Sequence, residues 1–181
     1  MRLLLSLLLV CLLSTSALRG PVTPPAPELG QFPAIEATSL DNVQLHLPQN
    51  FAGQINLVIV SFAREQQREV DTWLPVAQQI QPSHSKFRFY ELPTMSRENL
   101  VYRWWFNSAL RSNTTDKDLR SRILTAYVNK RKFRDSLHIG NEKHVVAILV
   151  DQAGHVVWRA NGAYTAESLP ELLSAITANG G

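Results

Sequence analysis

Apolar residues recur along this chain with two periods, and these divide it into strands and helices. The runs Ile35-Glu36-Ala37-Thr38 and Val43-Gln44-Leu45-His46-Leu47 flank Asp41-Asn42. The second run alternates with period two, which predicts a short β-hairpin ended by Pro48. After Gly53, the unbroken run Leu57-Val58-Ile59-Val60-Ser61-Phe62 predicts a central strand covered on both faces. An amphipathic helix follows, with Val70, Trp73 or Leu74, Ala77 and Ile80 on one stripe and a kink expected at Pro75. Pro82-Ser83-His84-Ser85 ends it, and Phe87 to Leu92 is the next strand.

Arg97 to Leu110 has the pattern of a second helix, with Ser96 as its N-cap. Ile123 to Val128 suits either period, but its content of strand formers favours a strand. A short helix from Lys132 to His138 is then expected, closed by Gly140. Val145 to Val150 reads as a buried strand. The turn Asp151-Gln152-Ala153-Gly154 and the strand His155 to Trp158 follow. Thr165 is the expected cap of a last helix, with Leu169, Leu172, Leu173 and Ile176 on one face and Pro170 in its first turn. The order β-α-β-α-(β-α)-β-β-α predicts an α/β fold, a mixed sheet between helix layers.

The pattern before residue 34 is different. Arg2 and the apolar stretch Leu3 to Leu13, followed by the small residues Ser14 to Ala17, read as a secretory signal peptide over residues 1–17. An uncleaved anchor is the rival reading, and Val10 before Cys11 argues against a lipoprotein. Residues 18–33 carry Pro21, Pro24, Pro25, Pro27 and Pro33 and read as an extended linker. The folded domain is then expected over 34–178, and an exported location, periplasmic or secreted, follows.

Composition narrows the chemistry. A chain of 181 residues with 45% hydrophobic and 18% charged content suits one globular domain. Its single cysteine, Cys11, lies in the signal, so the mature chain is expected to have no disulfide, thiolate nucleophile or thiolate metal site. Ser61 has no nucleophile elbow around it. Five histidines, His46, His84, His138, His144 and His155, show no ligand spacing, so no metal site or other cofactor is expected. Asp41, Glu65 and Asp71 have polar contexts and receive no acid–base role, which leaves no catalytic residue.

Charge is uneven. Between Arg97 and Lys143 there are eleven Lys and Arg against five Asp and Glu, an excess larger than the whole chain's net +3. This basic stretch, about 97–143, reads as an insertion that also holds Arg103-Trp104-Trp105-Phe106. Such a mixture suits an acidic protein partner or an anionic membrane surface. The plain alternative is that the aromatics fill the core and the cations solvate the other face. Export argues against nucleic acid. The candidate partner-binding residues are Arg103, Trp104, Trp105, Arg131 and Lys132, with His144 added because it is expected near Ala63.

The element order resembles the thioredoxin-like superfamily, and Ile35 to Leu74 resembles the opening of peroxiredoxin-type domains. The run Val146 to Trp158 with Asp151 and Gly154, followed by Gly162 and Glu167, resembles most the family of the mitochondrial ATP synthase assembly factor for the membrane-sector subunit 6 and its cysteine-poor bacterial relatives. Leu92-Pro93-Thr94 and Trp104-Trp105 are compatible with it. The resemblance implies a redox scaffold. Thioredoxin-like proteins carry the reactive cysteine at the strand-to-helix junction, which here reads Ala63-Arg64-Glu65-Gln66-Gln67. The facing proline of thioredoxins would fall near Lys143-His144 and is also absent. The expectation is a non-enzymatic protein that binds or chaperones a protein partner during assembly of an envelope membrane complex. The alternatives are a peroxiredoxin-like or thiol-dependent oxidoreductase relying on a partner's cysteines, and a plain periplasmic ligand-binding module.

Overall fold

A computed structural model describes residues 29–96 and 117–181. Its strands are β1 (Ile35–Ser39), β2 (Gln44–Leu47), β3 (Ile55–Ser61), β4 (Phe87–Ser96), β5 (Leu124–Val128), β6 (Val146–Asp151) and β7 (Val156–Asn161). The α-helices are α1 (Gln67–Ile80), α2 (Lys117–Arg122), α3 (Lys130–Ser136) and α4 (Ser168–Ala178). The strands form one sheet in the order β2-β1-β5-β4-β3-β6-β7. β3 pairs in parallel with β4 and antiparallel with β6, and β4 pairs in parallel with β5. This is the mixed sheet that the element order predicts, with the long apolar run at its middle.

Every residue of β3 is buried. Its side chains alternate between two cores, as the strand period requires. Val58 and Val60 point to one core with Leu92, Val146, Ile148 and Phe133 of α3. Leu57 and Ile59 point to the other with Phe87, Phe89, Trp73 of α1 and Leu172 and Ile176 of α4. A helix thus covers each face, which is why the strand is apolar from Leu57 to Val60; the buried Asn56 before them spends its side chain on the Gly53 backbone, accepting its N–H at 3.0 Å and donating to its carbonyl at 2.9 Å. Of the two candidates on the α1 stripe, Trp73 is buried and Leu74 lies partly open. The helix runs through Pro75, and the carbonyl that Pro75 cannot bond belongs to the exposed Asp71. Among the described residues no helix is long and apolar enough to cross a membrane.

Several boundaries differ from the expectation. The fold starts before Ala34, within the stretch read as linker. Gln31 bridges His155, and Phe32, 2% exposed, stacks edge-on against Phe51 at 5.5 Å and Phe133 at 6.0 Å. Its aromatic ring outweighs the prolines around it. The stretch 97–143 is not one insertion, because β5 lies inside the sheet between β1 and β4. Leu124, Ala126 and Val128 fill the first core, so their burial decides for strand where local periodicity left a choice. α3 starts at Lys130 and ends at Ser136. The left-handed residue after it is His138, with φ of 51°, and Gly140 plays no such part. α4 begins at Ser168, one turn after Thr165, whose carbonyl accepts the Ser168 N–H. The proposed signal peptide, most of the linker and the helix proposed from Arg97 to Leu110 lie outside the described residues.

Candidate functional site

The carboxyl end of β3 is where a thioredoxin-like chain would place its sulfur. Here Ser61 gives way to Phe62 and Ala63, and a 3-10 turn, Arg64–Gln66, leads into α1. Gln66 is buried, and its side chain closes the corner. Its Oε1 accepts the backbone N–H groups of Phe62 at 2.7 Å and Ala63 at 3.2 Å. These are donors at a helix start that would otherwise need a partner. Its Nε2 donates to the Glu142 carbonyl at 2.8 Å. One carboxamide therefore ties the end of β3 to the loop that precedes β6.

The same loop is held from the other side by α3. Lys130 Nζ donates to Glu142 Oε2 at 2.6 Å and to the Phe62 carbonyl at 3.3 Å, and it lies 5.5 Å from the centre of the Phe62 ring. Arg134 Nε pairs with Glu142 Oε1 at 3.2 Å, and its Nη1 donates to the Gly140 carbonyl at 3.3 Å. Glu142 thus sits between two cations, all three half-buried, a setting where ion pairs are less screened than on an open surface. The first turn of α1 adds a further brace. Glu69 accepts His144 Nδ1 at 2.8 Å and the Val145 N–H at 2.9 Å. A proline at 145 would remove that N–H, so the brace requires a residue other than proline there.

Burial works against the Glu69 carboxylate. The bonds from His144 and the Val145 amide, with the charge on His144, outweigh it and hold the Glu69 pKa below 4.5. A depressed carboxyl pKa contributes stability above the unfolded value of 4.5, and that contribution is lost as pH falls through the lower folded value. We expect wild type to melt above the Glu69→Gln variant at neutral pH and the gap to close in acid. Parallel melting curves at the two pH values would remove Glu69 from this role.

The described cations of the basic stretch are dispersed rather than massed. Arg120 pairs with Asp41 at 2.8 Å. Arg122 binds Asp118 at 2.7 Å and Gln81 at 2.6 Å, and covers the ring of Phe89 at 4.6 Å. With Lys130 and Arg134 spent on Glu142, the exposed cations of α3 are Arg131 and Lys132. Arg131 is 87% exposed and lies 4.0 Å from its neighbour Asp135, a weak contact. Of the proposed partner-binding residues, Arg131 and Lys132 lie on one helix turn, and His144 belongs to the loop that this helix holds. Arg103, Trp104 and Trp105 lie outside the described residues. Gln66, Glu69, Lys130, Arg134 and Glu142 escaped the sequence reading, because no local spacing marks them. Gln66 and Glu142 are far apart in the chain and meet only through the sheet.

One further ionisable group was missed. Glu91 stands on β4, 8% exposed, on the α1 side of the sheet. Burial is the largest influence and raises its pKa. A hydrogen bond from Gln67 opposes this, the Asp71 charge adds to it, and the result is about 7. Among the described residues no three His, Cys, Asp or Glu side chains gather as a metal ion would require.

Comparison with known proteins places this geometry. The model of the family described as ATP10 protein, a family of mitochondrial ATP synthase assembly proteins, matches residues 30–178. No curated protein matches the sequence. BsSco, a member of the Sco family of cytochrome c oxidase assembly proteins, superposes with a TM-score of 0.59 at 12% identity, over 86% of this chain and 96% of its own. Copper-bound ScoI from Arabidopsis thaliana gives 0.54 at 9% identity, over 83% and 99%. The exposed lipoprotein thioredoxin Etrx1 from Streptococcus pneumoniae gives 0.53 at 12% identity, over 78% and 98%. Identities this low speak for the fold alone, and that fold is thioredoxin-like. The family match supports an assembly-factor role.

Proposed function

Because the chain belongs to the ATP10 protein family and its corner holds no sulfur, we propose that it is a redox-inactive assembly factor that binds or chaperones a protein client of a membrane complex. The observation that carries this reading is Gln66. A thiol at a strand-to-helix corner is activated by the positive helix start and its free N–H groups. Here the Gln66 carboxamide occupies the Phe62 and Ala63 N–H groups, and the loop opposite is clamped by Lys130, Arg134 and Glu69. Such a corner is suited to being a rigid frame. Contact with a client then falls to exposed groups around it, Arg131, Lys132 and His144 among them.

Export is part of the proposal and rests on residues 1–17. The family is one of mitochondrial proteins, so compartment is a point to test by fractionation of the native host. The chemical test uses purified protein. Insulin-disulfide reduction and peroxide turnover should both stay at the level of buffer. Turnover by the chain alone would defeat the redox-inactive reading. Crosslinking in the native host should recover a subunit of a membrane complex, and recovery of none would defeat the binding reading.

A further inference from the structure

β1 and β5 run antiparallel, paired from Ala37↔Ala126 to Ser39↔Leu124. Both strands continue toward the carboxyl end of β5, and the same register would set Ile35 opposite Val128. The ladder does not follow them. A cleft of about 820 Å³ opens where they part, between the entry to β1 and the first turn of α3. Pro33, Ile35 and Val128 give it an apolar lining, and Ala34 stands exposed at its edge. Arg131 and Lys132 line the opposite side, and no carboxylate occurs among its described lining residues.

The charges there are available. Among the described residues Arg131 has only the distant Asp135 as an ion-pair partner, and the Lys132 side chain has none. Lys130, one position earlier, shows the contrast, since it is held by Glu142 at 2.6 Å. A trough that sets apolar side chains beside unspent cations, with no anion among its described lining residues, complements a carboxylate set beside an apolar side chain. Its place beside two strand ends suits an extended chain, in which successive side chains point alternately to trough and rim.

We infer that this cleft takes an extended segment of the client that carries carboxylates alternating with apolar side chains. The inference rests on the protein-client reading above and names the chemistry of the partner. Its test uses the full-length chain and two labelled peptides, one alternating Val and Glu, the other Val and Gln. Fluorescence anisotropy should show the Glu peptide binding about tenfold or more tightly than the Gln peptide, with the difference shrinking as salt rises. The combined variant Arg131→Glu and Lys132→Glu should lose about tenfold for the Glu peptide. The exposed Ala34→Tyr substitution, which crowds the cleft without adding charge or touching the core, should weaken both peptides. Amide shifts on titration should centre on Ala34, Ile35 and Lys132.

Equal binding of the two peptides, unchanged binding by the charge-reversed chain, or shifts centred elsewhere would each overturn the inference. So would phosphatidylserine vesicles that bind through Arg131 and Lys132 while neither peptide binds. A crosslinked client recovered equally by wild type and the double variant sinks the cleft and leaves the binding reading standing. Absence of any client sinks the binding reading itself.

Discussion

Replacing Trp73 by alanine is expected to lower the unfolding free energy by about 3–5 kcal/mol, the largest effect of any substitution considered. Trp73 is fully buried at the centre of the α1 face. Its ring meets Trp158 edge-on at 6.0 Å and Tyr164 at 5.3 Å, and its Nε1 donates to the Gly162 carbonyl at 2.9 Å. Truncation removes the transfer free energy of the indole, leaves a cavity between α1 and β7, and strips one bond from the turn after β7. Trp73→Phe keeps most of the volume and loses the N–H, so it should cost clearly less. Denaturant unfolding of both variants separates the two contributions. A loss below about 1 kcal/mol for the alanine variant would contradict the packing described.

The Glu91→Gln variant is expected to gain on wild type as pH rises. In the folded chain the Glu91 carboxyl titrates near 7, against 4.5 when unfolded. The folded state therefore binds the proton more tightly, and stability is full below 4.5 and declines as pH rises through about 7. At 1.36 kcal/mol per pKa unit, the wild-type loss between about pH 4 and about pH 8 approaches 3 kcal/mol. Glutamine stays neutral and escapes it. Glu69 carries the opposite sign, since its contribution is lost in acid: wild type loses ground to Glu69→Gln as pH falls and to Glu91→Gln as pH rises. A stability difference between Glu91→Gln and wild type that is the same at both pH values would show that Glu91 does not titrate in a buried setting.

Much of the scaffold was legible because its causes are local. The unbroken run Leu57 to Phe62 could only be a strand covered on both sides, and the two cores that receive its alternate side chains bear this out. The Asp151 to Gly154 turn needs a positive φ at its end, and Gly154 has 90°. Where local signals competed, burial chose between them. Ile123 to Val128 satisfied both periods, and a slot between β1 and β4 made it a strand. Phe32 followed a proline-rich stretch, and a ring slot against Phe51 and Phe133 drew it into the fold.

By itself the sequence determined what this corner lacks. An inventory of side chains shows that the strand-to-helix junction offers no sulfur, whatever the fold does with it. Only tertiary structure decided what stands there instead. Gln66, Lys130, Arg134 and Glu142 come from three separate elements, and the mixed sheet, with β5 parallel to β4 and β3 and with β6 antiparallel to β3, brings them to one end. The reason is geometric: a hydrogen bond acts within about 3 Å, and chain positions far apart reach that distance only after the strands between them have paired.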